Sequence, residues 1–118
     1  MNFIDFVYQY SVEGYITFSV NVTSGPFSGE SNFCVATELL EKGIYELQNV
    51  YKLLAGTYTL NDYDSDDFFA FEMQQHGHMI VRGQVGGSHN SQYLVYEFQS
   101  DQTALKKIID NLSRLLKT

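Results

Sequence analysis

Tryptophan is absent from this 118-residue chain, cysteine and proline occur once each, and only seven side chains are basic. Each scarcity excludes something. The single cysteine, Cys34, permits no intramolecular disulfide, so the chain is not a disulfide-stapled miniature and suits a reducing compartment. One proline and nine glycines do not make a low-complexity linker. No apolar run approaches the ~20 residues that a membrane-spanning helix needs. Met1-Asn2-Phe3-Ile4-Asp5 lacks the basic-then-apolar order of a secretory leader. The expectation is one cytoplasmic domain spanning 1–118, large enough for a single core.

Charge is unevenly spread. The net value is −7, yet residues 1–101 hold thirteen acids against Lys42, Lys52 and Arg82, a net −10. The remaining residues carry Lys106, Lys107, Arg114 and Lys117 against Asp110, a net +3. A surface this acidic repels phosphate backbones and disfavours nucleic acid as a partner, whereas it suits a protein that is itself basic.

Hydrophobic residues make up 44% of the chain, and nine Tyr and nine Phe supply all of its aromatic rings. Their spacing has two periods. Ile4, Phe6, Tyr8 and Tyr10 alternate with other residues, as do Ile16, Phe18, Val20 and Val22, which is the mark of half-buried strands. Glu13-Gly14 supplies the turn between them. A third strand runs from Ser28 to Ala36, with Cys34 in its apolar end. Leu40, Ile44, Leu47, Tyr51 and Leu54 then recur every three or four residues, one stripe of an amphipathic helix. Thr37 is its expected N-cap and Gly56 its expected terminator, while Gly43 inside it costs up to about 1 kcal/mol relative to alanine.

Strand patterns resume at Thr57–Leu60, Phe69–Met73, Met79–Val85 and Leu94–Phe98, with turns at His76-Gly77 and at 86–90. Ser100 or Asp101 caps a closing helix carrying Leu105, Ile108, Ile109, Leu112, Leu115 and Leu116. The order β-β-β-α-β-β-β-β-α lacks the strand–helix alternation of a parallel sheet. It implies an α+β fold, an antiparallel sheet with two helices packed on one face.

The densest chemistry lies in Asn61-Asp62-Tyr63-Asp64-Ser65-Asp66-Asp67, four carboxylates and a ring with no base among them. Mutual repulsion implies an exposed loop. Asp62-x-Asp64-x-Asp66 opens like a calcium loop, but Asp67 stands where glycine is required and Met73 where a bidentate glutamate is required. The histidines His76, His78 and His89 sit in turns without the three or four ligands of a metal centre. Cys34 has no neighbouring histidine, and no nucleophile elbow, zinc-binding helix or phosphate loop occurs. Nothing here implies an enzyme, a metal or a cofactor. The expected partner-binding residues are Asp62, Tyr63, Asp64, Asp66 and Asp67, with Tyr93 a second candidate exposed anchor. Tyrosine supplies contact area and acid supplies direction.

From about Phe27 to Leu116 the chain resembles the WapI-type immunity proteins, small bacterial partners of polymorphic contact-dependent toxins. The resemblance rests on Phe33-Cys34-Val35 feeding a helix from Glu38 to Leu54, on Ala55-Gly56, and on the glycine-containing strand Met79 to Val85. Its most specific part is Tyr96-Glu97-Phe98-Gln99-Ser100-Asp101-Gln102-Thr103-Ala104-Leu105, leading into the last helix. It implies a cytoplasmic inhibitor that binds a cognate toxin domain, in many such systems a basic nuclease. No shared binding motif of that family can be placed on these residues. The competing expectation is a domain that binds a small molecule or divalent cation. Either would act as a monomer or homodimer, with no membrane partner.

Overall fold

A computed structural model describes residues 1–117. Its elements follow the expected order: β1 Phe3–Val12, β2 Tyr15–Ser24, β3 Phe27–Ala36, α1 Thr37–Leu53, β4 Gly56–Asn61, β5 Phe68–Met73, β6 His78–Val85, β7 Leu94–Asp101 and α2 Gln102–Leu115. All paired strands are antiparallel, and they form two sheets, β1-β2-β3 and β4-β5-β6-β7. The division falls at α1, the one long connection between successive strands. Helix α1 lies against β3 and β4, α2 lies against β1 and β7, and the helices touch each other. Each helix thus bridges an edge of one sheet to an edge of the other. No helix among the described residues is long and apolar enough to cross a membrane.

The inner faces meet around phenylalanine. Phe69 lies 5.0 Å from Phe6, 5.6 Å from Phe33 and 5.5 Å from Phe71, ring centre to ring centre, so residues from both sheets share one core. Burying each such ring stabilises the fold by about 2–3 kcal/mol. Gly43 has a specific reason to interrupt α1. It is buried under the Tyr58 hydroxyl of β4, and a Cβ at this position would overlap that group. Desolvation in this contact pushes the Tyr58 pKa well up, with the negative charge of Glu46 adding to it.

Strand β1 departs from simple alternation. Tyr8 pairs with Phe18, but Tyr10 pairs with Thr17, leaving Gln9 as an extra residue in a β-bulge. The single face expected for Ile4, Phe6, Tyr8 and Tyr10 therefore ends at Tyr8. Beyond the bulge Tyr10 and Val12 point away from the core, on the same side as Tyr15. The turn that follows is Glu13-Gly14, with φ of 48° and 85°, the positive values a two-residue hairpin loop requires.

Three local expectations need adjustment. Thr37 is the first residue of α1 rather than its cap, and its amide donates to the Gly14 carbonyl at 2.9 Å, so the hairpin turn receives it. Leu54, at φ 51°, takes the left-handed position that ends α1, while Gly56 opens β4. Cys34 lies in β3 but on the outer, half-buried side, flanked by the inward Phe33 and Val35. The cap of α2 is Asp101, whose Oδ1 accepts from the Ala104 amide at 3.0 Å.

Candidate functional site

The acidic loop between β4 and β5 is closed at its neck by the Asp62 amide, which donates to the Asp67 carbonyl at 2.9 Å. The expectation that all four carboxylates face water does not hold. Asp62 is 8% exposed and Asp67 only 3%. Asp67 Oδ1 accepts from the Gly87 amide at 2.8 Å and from Gln84 Nε2 at 3.1 Å. Its Oδ2 accepts from Ser31 Oγ at 3.0 Å and from the Gly86 amide at 3.1 Å. Two successive backbone amides, at glycines with positive φ, form a small anion-binding nest. Neutral donors thus compensate a buried carboxylate that has no basic partner among the described residues.

Asp62 is held on the other side. Its Oδ1 accepts from the Cys34 amide at 2.8 Å and its Oδ2 from Ser65 Oγ at 2.7 Å, while the Tyr63 amide donates to the Cys34 carbonyl at 2.9 Å. The two bonds to Cys34 cover the free edge of β3 at that residue. Asp66 is exposed yet engaged: Oδ1 accepts from Gln84 Nε2 at 2.8 Å and from the Ser88 amide at 3.0 Å, and Oδ2 from the Ser88 hydroxyl. The Ser88 hydroxyl, then the Ser88 amide, holds the Asp66 pKa below the usual carboxylate range. The loop therefore ties β3 of one sheet to the β6–β7 turn of the other. No sequence signal marked Gln84, Gly86, Gly87 and Ser88 as the acceptors' partners, because they lie about twenty residues away.

What the loop presents is narrower than its composition. Tyr63 is 71% exposed and Asp64 is exposed, and neither side chain makes a hydrogen bond within the described residues. The Tyr63 ring lies 5.5 Å from that of Tyr15. The carboxylates of Asp62 and Asp66 point at donors on different elements instead of converging as a cation site would demand. His76 and Gly77, at φ 61° and 75°, form the turn between β5 and β6, and His76, His78 and His89 are all exposed. Tyr93 is exposed beside the second turn, as expected.

Residues 2–118, essentially the whole chain, match the immunity protein WapI-like family. The chain belongs to that family. The match reaches through β1 and β2, which the resemblance read from the residues alone left out. No curated protein and no solved structure matches the chain significantly. For a WapI-like immunity protein the relevant surface is one that a protein partner can reach, and here the exposed loop residues adjoin the outer face of the three-stranded sheet. Strands β1 to β3 carry Asp5 and Glu30, with Glu13 in the intervening turn, and no Lys, Arg or His. The basic residues of α2 lie on a different element, where Lys107 and Arg114 border a cavity of about 450 Å³ against β1 and β7.

Proposed function

We propose that this chain is a non-catalytic cytoplasmic inhibitor that binds and neutralises a cognate toxin domain, and that the domain is basic and nuclease-like. The family match over residues 2–118 carries the reading. The charge distribution supplies the chemistry: a net −10 over residues 1–101 attracts a surface built to hold phosphates and competes with nucleic acid for it. Of the five loop residues, Tyr63 and Asp64 make the contact, Asp66 contributes field, and Asp62 and Asp67 hold the loop in place. The test is stopped-flow association with the purified cognate toxin domain at low and high salt. Association slows at least tenfold at high salt, and Asp64→Lys slows it severalfold at low salt without changing the unfolding midpoint. Association that ignores both salt and the charge reversal would refute the electrostatic part of the reading.

A second reading, a small-ligand-binding domain, has one observation in its favour. Asp5 Oδ1 is buried without a hydrogen-bond partner in the described residues, and Asp5 lines the same cavity as Lys107 and Arg114. A zwitterion would satisfy both signs of charge. Thermal-shift measurements with a panel of amino acids separate this reading from the first, since a ligand at 100 times its Kd adds about 2.7 kcal/mol of stability.

A further inference from the structure

The outer face of the three-stranded sheet ends in a cluster that no feature of the core requires. Past the bulge at Gln9, Tyr10 and Val12 turn outward and join Tyr15 of β2 and Tyr63 of the acidic loop. Tyr10 is 57% exposed and Val12 56%. Between them lies a shallow cavity of about 190 Å³, lined by Tyr10, Val12, Tyr15, Thr17, Cys34 and Asp64. Its floor is firm, because Thr17 is buried in the central strand and the backbone of Cys34 is tied to Asp62 and Tyr63.

Three features specify what fits there. Tyrosine faces attract a cation held over the ring, an attraction that strengthens when water is displaced. Asp64, at the rim, has no hydrogen-bond partner among the described residues and offers a carboxylate to the same cation. No base lies anywhere on β1, β2, β3 or the loop, so nothing on this surface repels positive charge. The bulge itself interrupts strand pairing, and such bulges re-aim side chains at functional positions.

We infer that this cavity receives one long cationic side chain, an arginine or lysine, from the surface of the basic partner domain. Tyr10 and Tyr15, the second backed by the Tyr63 ring, flank its aliphatic stem and Asp64 pairs with its head. The inference rests on the toxin-binding reading and names the anchor point within it. Phe27, exposed beside a separate hollow at the far end of β3, serves as the comparison site.

The experiment measures Kd for the purified cognate toxin domain with wild type, Tyr10→Ala, Tyr15→Ala, Asp64→Asn and Phe27→Ala. A thermal midpoint is recorded for each to show that the fold persists. The anchor predicts a loss of about 30-fold for Tyr10→Ala and for Tyr15→Ala and a smaller loss for Asp64→Asn, with Phe27→Ala near wild type. Cys34 on the cavity floor supplies a second readout: the complex slows its alkylation by iodoacetamide relative to the free protein. Binding unchanged by Tyr10→Ala and Tyr15→Ala, or Cys34 alkylated equally fast in the complex, overturns the anchor while leaving the toxin-binding reading intact. Failure of wild type to bind the toxin domain overturns both.

Discussion

Asp67 and Asp64 have the same side chain three residues apart and do opposite work. The first accepts four hydrogen bonds in a nearly water-free setting; the second accepts none among the described residues. Removing the Asp67 carboxylate strands the Gly86 and Gly87 amides, and a buried donor without a partner costs about 1–3 kcal/mol. Asp67→Ala should therefore lower stability by roughly 3 kcal/mol or more in urea denaturation, given the Ser31 and Gln84 bonds lost with it. Asp64→Ala should change it by less than about 0.5 kcal/mol. Equal effects would mean that the loop is held by something other than these hydrogen bonds.

At the scale of elements, each edge of the three-stranded sheet is capped at one position by groups from another element instead of by a strand. Asn111 of α2 donates from Nδ2 to the Phe6 carbonyl at 2.9 Å and accepts the Phe6 amide at 3.0 Å, standing in for a neighbouring strand along β1. Asp62 and the Tyr63 amide do the same along β3. Each plug occupies one position of its edge and interrupts the row of free amides and carbonyls there. The packing of α1 on β4 is set by one residue. Gly43→Ala improves intrinsic helix propensity by up to about 1 kcal/mol, yet it drives a methyl group into the Tyr58 ring. The expected outcome is a net loss of about 1–3 kcal/mol, read as a lowered thermal midpoint. A stabilised variant would show that Tyr58 can move aside at little cost.

Across the whole molecule, protonation contributes to stability at both the acid and the alkaline end. Asp66 has a native pKa below its unfolded one, so the native state binds fewer protons there; that contribution is full at neutral pH and fades as pH falls through the native value. Tyr58 and Tyr96 go the other way. Burial raises both, with the charge of Glu46 adding to the first and that of Asp67 to the second. The unfolded chain ionises these tyrosines near pH 10 while the native state keeps them neutral, so their contribution is intact below about pH 10 and declines above it. Stability measured by denaturant midpoint should hold from neutral pH to about pH 9 and fall between about pH 10 and 12. Replacing both residues with phenylalanine should flatten that alkaline limb. An unaltered limb would assign it to other groups.

The sequence alone determined the class of fold, because period-two and three-to-four spacing are local properties that each segment must satisfy to bury its own apolar side. Phe18 and Val20, or Leu40 and Leu47, declare their elements without reference to anything distant. Glu13-Gly14 and Asp101 were legible for the same reason: turn and cap chemistry acts over two or three residues. The grouping of seven strands into two sheets was not, since it depends on which edges α1 and α2 bridge. Nor could repulsion along Asp62-Tyr63-Asp64-Ser65-Asp66-Asp67 show that two carboxylates turn inward, because the donors that neutralise them come from Ser31, Cys34 and the 84–88 segment. The sequence supplied the charges and rings; the bulge at Gln9 and the distant hydrogen-bond donors decided which of them face outward.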